Sequence, residues 1–207
     1  MEGAGPPAAF ANLPLQIEVI PAGQQFYRII ENIHTDPLGF GRTTSSRFSA
    51  PRPAEGGHVP FGVVYLAAEL DACFIETVIR DRGDGRSEKH LLLDVEELRR
   101  RDRVSVQVAS ALSLISLVGV DRHLMGVPTD VTGARSHTLS QLWSVAFHDH
   151  PSKPDGVLYP SRLQPALTNV ALYDRALSKL GIVDRVPLLD CRADIARIVK
   201  TYRIALI

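Results

Sequence analysis

Hydrophobic positions along this chain fall in short clusters separated by glycine, proline and charge, and the period of each cluster predicts its element. Gln25-Phe26-Tyr27-Arg28-Ile29-Ile30 is short and β-prone, bounded upstream by Pro21-Ala22-Gly23, and predicts a first strand. Phe61-Gly62-Val63-Val64-Tyr65-Leu66 predicts another. From Leu70 to Arg80 the period changes: Leu70, Cys73, Phe74, Thr77 and Val78 share one face of a helix, with Ile75 and Ile79 adding a second apolar edge. Glu76 falls between Cys73 and Ile79 on that helix. Its carboxylate is therefore expected to be partly buried, which is costly unless a partner compensates.

Further along, His90 to Val95 predicts a strand, Glu96 to Arg101 a short polar turn or helix, and Val104 to Val108 an alternating strand. Ala111 to Val118 is apolar and fits helix or strand equally. His137 to His148 has helical spacing, and the chain from Pro151 to Asp155 ends it. Gly156-Val157-Leu158-Tyr159 and Asn169 to Tyr173 predict strands, and Arg192 to Ile207 a short helix followed by a strand. Residues 1–20, rich in Ala, Pro and Gly, are expected to form a loosely ordered leader. The segment from Asp36 to about Pro60 is expected to be a long irregular region with Ser46-Arg47-Phe48-Ser49 as a brief strand or turn, and long loops of this kind are often functional. No repeat or second linker interrupts residues 21–207, so one α+β domain is expected.

Charge narrows the function classes. Lys plus Arg equals Asp plus Glu, 23 each, which argues against nucleic-acid binding through bulk electrostatics. Cys73 and Cys191 are too few and too far apart for a disulfide framework or a zinc site. His148-Asp149-His150 lacks a third ligand at diagnostic spacing, so no metal is expected. Without a signal-peptide pattern at Met1-Glu2-Gly3 or a membrane-length apolar run, a cytoplasmic protein away from membranes is expected.

Five residues remain as candidates for chemistry. Arg28 and Arg47 carry guanidinium groups, which grip pyrophosphate or carboxylate through paired hydrogen bonds; a surface ion pair is the plain alternative for each. Tyr65 ends an apolar strand, where a tyrosine is usually a core residue and otherwise a stacking platform. Glu76 suits stabilisation of an oxocarbenium-like centre, or a buried ion pair. Ser161, after Tyr159-Pro160, offers a hydroxyl beside Arg162, or simply a turn.

The order of these elements resembles the RES domain, the toxin component of a bacterial toxin–antitoxin class. The resemblance rests on Phe26-Tyr27-Arg28-Ile29, Ser46-Arg47-Phe48 and Val64-Tyr65-Leu66-Ala67. Glu76 follows eleven residues after Tyr65, and Asp155-Gly156-Val157-Leu158-Tyr159-Pro160-Ser161-Arg162 then precedes Asn169-Val170-Ala171-Leu172. It implies an ADP-ribosyltransferase-like fold, a split mixed β-sheet flanked by helices around an NAD cleft. It implies that Arg28 and Arg47 hold the phosphates, Tyr65 stacks on the nicotinamide end, Glu76 is the catalytic carboxylate and Ser161 completes the pocket. NAD would be substrate rather than cofactor, with inorganic phosphate as a candidate co-substrate. The implied activity is cleavage of the nicotinamide–ribose bond by hydrolysis or phosphorolysis. ADP-ribosyl transfer to a protein and a non-catalytic nucleotide-binding module are the alternatives. The family also implies a helix-turn-helix (Xre-type) antitoxin as partner and no direct contact with nucleic acid.

Overall fold

Val64, Leu66, Val104, Val106, Leu112, Leu114, Val170 and Leu172 are buried at alternate positions of their segments, and together they form one apolar face of a sheet. The computed structural model describes residues 4–53, 57–85 and 89–207. Among these, the strands are β1 (Ile17–Ile20), β2 (Gln25–Glu31), β3 (Val63–Ala67), β4 (Leu91–Leu93), β5 (Arg101–Val108), β6 (Leu112–Ser116), β7 (Gly156–Pro160), β8 (Thr168–Tyr173), β9 (Leu180–Pro187) and β10 (Ile204–Leu206). The α-helices are α1 (Leu70–Phe74), α2 (Val95–Arg99), α3 (Val120–Leu124), α4 (Asp130–Gly133), α5 (Thr138–Asp149) and α6 (Arg192–Thr201).

Eight strands form one sheet in the order β1-β6-β7-β8-β3-β2-β5-β9, and β10 pairs with β4 in a separate parallel ribbon. Within the large sheet only β6 and β7 run parallel. That pairing needs a crossover, and α3, α4 and α5 supply it. Gly156 is required at the start of β7, because a side chain there would collide with the Ala171 carbonyl of β8. The α+β domain with a mixed sheet is thus as expected, and the apolar run at Ala111–Val118 contains a strand.

The sheet is nearly divided. β2 pairs with β3 at a single register position, Tyr27 opposite Ala67, whereas β2 follows β5 over its whole length. Beyond that point the two strands part, and the space between them opens beside Arg28 and Tyr65. Helices cover the adjoining face in two blocks. α5 packs Trp143 and Phe147 on Ile115, Val157, Ala171 and Tyr173, while α1 and α6 pack on Ile29 and Ala67. A strip between the blocks stays uncovered.

Two elements differ from their expected form. The Leu70–Arg80 helix is regular only in α1; Ile75–Ile79 continues as a π-helix and Arg80–Gly83 as a 3₁₀ turn. Ile75, Thr77, Val78 and Ile79 are β-branched, and such side chains crowd a regular helical turn. The leader expected at residues 1–20 is also not loose where it is described, residues 1–3 lying outside the described residues. Phe10 is buried against Trp143, Phe147 and His150, the Trp143 indole donates to the Ala4 carbonyl, and β1 extends the sheet. The segment is held against α5 because its single aromatic side chain, Phe10, fills an apolar slot there.

Candidate active site

The parting of β2 from β3 opens a cleft of about 540 Å³, the size of ordinary ligand sites. Arg28, Arg47, Tyr65 and Glu76 all line it. Ser161 does not. Four of the five expected residues therefore share one cavity, and the fifth lies behind it.

Glu76 enters the cleft from the π-helix, an irregularity that recurs at functional sites because it turns one side chain out of the regular helical stripe. Its Oε1 accepts from Ser161 Oγ at 2.6 Å and from Asn169 Nδ2 at 3.4 Å. Ser161 is buried, and its oxygen already accepts from the backbone amides of Leu163 and Gln164. Amides only donate, so the hydroxyl proton must point at Glu76. Among the described residues no donor reaches Oε2, which is left to the cleft. Ser161, expected as a pocket contact, instead orients the carboxylate.

Arg47 sits on a turn fastened from several directions. The backbone amide of Phe48 donates to the Tyr65 hydroxyl at 2.7 Å, and Ser144 Oγ donates to the Phe48 carbonyl at 2.6 Å. Gln141 of α5 donates to the carbonyls of Thr44 and Ser46. Arg47 Nη2 donates to the Ala134 carbonyl at 2.8 Å. Burial lowers the Arg47 pKa from its ordinary value, yet a guanidinium stays cationic at neutral pH. Tyr65, expected as a stacking platform, engages its hydroxyl in holding this turn, while burial raises its pKa and keeps the phenol neutral. Arg28 donates to the Pro37 carbonyl at 2.9 Å and is likewise pushed down by burial.

Three more arginines line the cleft: Arg80, Arg135 and Arg162. Arg162 pairs with Asp81 and holds that carboxyl below its usual value, and Arg135 pairs with Asp84. Among the described residues Arg28, Arg47 and Arg80 make no ion pair, which leaves their charge for a ligand. Arg80 also takes a positive φ of 46°, where the π-helix unwinds, a conformation costing a non-glycine residue about 1–3 kcal/mol. Strain of this kind persists where surrounding structure enforces it.

Sequence reasoning passed over Asn169, Arg80 and Arg135. Asn169 opens the quoted Asn169-Val170-Ala171-Leu172 run, but its link to Glu76 depends on register between strands; Arg80 and Arg135 carry no local signal. Elsewhere, Cys73 donates to the Tyr27 carbonyl, and burial pushes its thiol up to about 12, so it is inert as a nucleophile. His148 stacks on Phe61 and His150 bridges Leu13 and Ser152. Among the described residues no group of three metal-ligating side chains exists, and no helix is long and apolar enough to cross a membrane.

Comparison with known proteins adds three findings. A sequence model of the RES domain matches residues 25–193. The chain is 36% identical to the "Probable toxin y4kH" of Sinorhizobium fredii (strain NBRC 101917 / NGR234) over 129 residues, which is 62% of this chain and 100% of that protein. Its fold is similar to a chain in the crystal structure of the M. tuberculosis MbcT–MbcA toxin–antitoxin complex. That superposition has a TM-score of 0.59 and 17% identity, and covers 84% of this chain and 92% of the other.

Proposed function

The chain belongs to the RES domain family, and from that premise we propose that it is the toxin of a toxin–antitoxin pair whose cleft breaks the nicotinamide–ribose bond of NAD. The observation that carries the reading is Glu76. Oε1 is fixed by buried Ser161 and by Asn169, and Oε2 faces a cleft lined by five arginines. A site that only bound an anionic dinucleotide would gain nothing from that carboxylate.

Arg28, Arg47 and Arg80 supply charge for the pyrophosphate. As the C–N bond breaks, its electron pair goes to the pyridinium ring, nicotinamide leaves neutral, and positive charge develops on the ribose. Glu76 Oε2 meets that charge at fixed distance, the kind of preorganised stabilisation that costs no reorganisation during reaction. Water then adds to the ribose and releases a proton, or inorganic phosphate adds to give a 1-phosphate. Transfer of ADP-ribose to a protein remains the alternative outcome of the same bond cleavage.

The similarity to a probable toxin, and a fold like one found in a toxin–antitoxin complex, support a separately encoded antitoxin as partner. The direct test is incubation of the purified protein with NAD, with and without phosphate, followed by chromatography of nicotinamide and of the sugar product. Release of nicotinamide is expected, and Glu76→Gln is expected to slow it about 100- to 1,000-fold without lowering the melting temperature. An unimpaired Glu76→Gln protein would remove Glu76 from the mechanism.

A further inference from the structure

Tyr159 is a polar side chain of the cleft wall that takes no part in holding Glu76 or Arg47. It lies on β7 with its residue only 8% exposed, its ring meets the edge of Phe48 at 4.9 Å, and it lines the cleft. Among the described residues no hydrogen bond reaches its hydroxyl. The neighbouring tyrosines of the same core block are satisfied: Tyr65 accepts from Phe48, and Tyr173 donates to the Ser144 carbonyl. That hydroxyl is not sealed in the core but opens on the cavity, so its bond is supplied by what occupies the cleft, water or a ligand.

Position says what that something is. Tyr159 stands opposite Asn169 in the β7–β8 register, and Asn169 in turn contacts Glu76. Charge on Glu76 and Arg47 is felt at the phenol, together with Tyr65 and Cys73. Burial holds its pKa well above the ordinary value, so the group is a neutral O–H available to donate. The nearest cleft carboxylate free of an arginine partner is Glu76, which only accepts. A ligand group held between the two must therefore accept from one and donate to the other. The pyrophosphate oxygens of NAD only accept; a ribose hydroxyl does both.

Resting on the NAD reading, we infer that the Tyr159 hydroxyl is a substrate contact that donates to the 2-hydroxyl of the nicotinamide-side ribose, which itself donates to Glu76 Oε2. The contact fixes the ring beside the carboxylate, and it tightens as charge develops at the adjacent carbon.

The test pairs Tyr159→Phe with an NAD analogue that lacks this 2-hydroxyl. Phenylalanine keeps the packing on Phe48, and a melting curve checks that the fold is retained. With NAD, Tyr159→Phe is expected to lower kcat/KM tenfold or more. With the deoxy analogue the variant and the wild type are expected to differ by less than twofold, because the partner of the hydroxyl is gone. Equal kcat/KM for variant and wild type on NAD, or an equal loss on both substrates, would overturn the contact while leaving the NAD reading standing. A wild-type protein that releases no nicotinamide from NAD would overturn that reading, and the contact with it.

Discussion

At the scale of single residues, the arrangement around Glu76 separates a group that acts from groups that hold it. Ser161 Oγ receives two backbone amides and has one proton to give, so its direction is fixed by its own turn. Hydrogen bonds to charged groups are worth about 1.5–3 kcal/mol, and each 1.4 kcal/mol in a barrier is about tenfold in rate. Ser161→Ala is accordingly expected to lower kcat about 10- to 100-fold with little change in KM. If Ser161 acts only through the carboxylate, the same substitution made in a Glu76→Gln protein should cost almost nothing further. A full additional loss there would show a separate role, such as direct contact with substrate. Which residues gather in the cleft was legible in the sequence: Arg28, Arg47, Tyr65 and Glu76 each stand in a recognisable run, and all four line it. Their roles were less so. The Tyr65 hydroxyl grips the Phe48 amide and Asn169 reaches Glu76 only because β8 lies between β3 and β7, and no local pattern encodes that neighbourhood.

At the scale of elements, period and punctuation sufficed where a strand or helix is half-buried and regular, as in β2, β3, β7, β8 and α5. They failed where tertiary contact decides. β1 lies inside an Ala- and Pro-rich segment and is a strand because β6 offers it an edge. β9 pairs with β5 across a register shift between Ser105 and Val106, which breaks the alternation a reader would seek. The C-terminal end of α5 carries a further consequence. His148 stacks on Phe61 at 4.2 Å with Tyr173 at its edge, near Asp149, Asp174 and Arg175. Burial is the leading cause that lowers its pKa below 6.5, with Arg175 adding to it and the Asp149 hydrogen bond opposing. Folding thus weakens proton binding here, so the unfolded chain takes up the proton more readily as pH falls. The contribution is complete above pH 6.5 and declines as pH falls below it. Melting temperature is expected to drop between pH 7 and pH 5, and His148→Phe, which keeps the stack, should reduce that slope. An unchanged slope in the variant would assign the acid sensitivity to other groups.

At the scale of the whole molecule, the chain carries no net charge, yet five arginines and two carboxylates line the cleft. That surplus of three positive charges is offset elsewhere on the chain, so the protein is electrically polarised toward its cavity without being basic overall. Strands β2, β3, β7 and β8 and helix α1 contribute to the walls, with the apolar core packed behind them, and this low-dielectric backing focuses the field into the opening rather than dispersing it in water. An anionic dinucleotide would be drawn in by this field, whereas a nucleoside without phosphates would not. Salt shortens the reach of exposed charge to about 10 Å at 0.1 M and about 3 Å at 1 M. Raising ionic strength across that range is therefore expected to lower kcat/KM for NAD several-fold, mainly through KM. Cleavage of nicotinamide riboside, which keeps the scissile bond and lacks the pyrophosphate, should change much less over the same range. Equal salt sensitivity for both substrates would place the effect on the fold or the chemical step, and would take the pyrophosphate away from Arg28, Arg47 and Arg80.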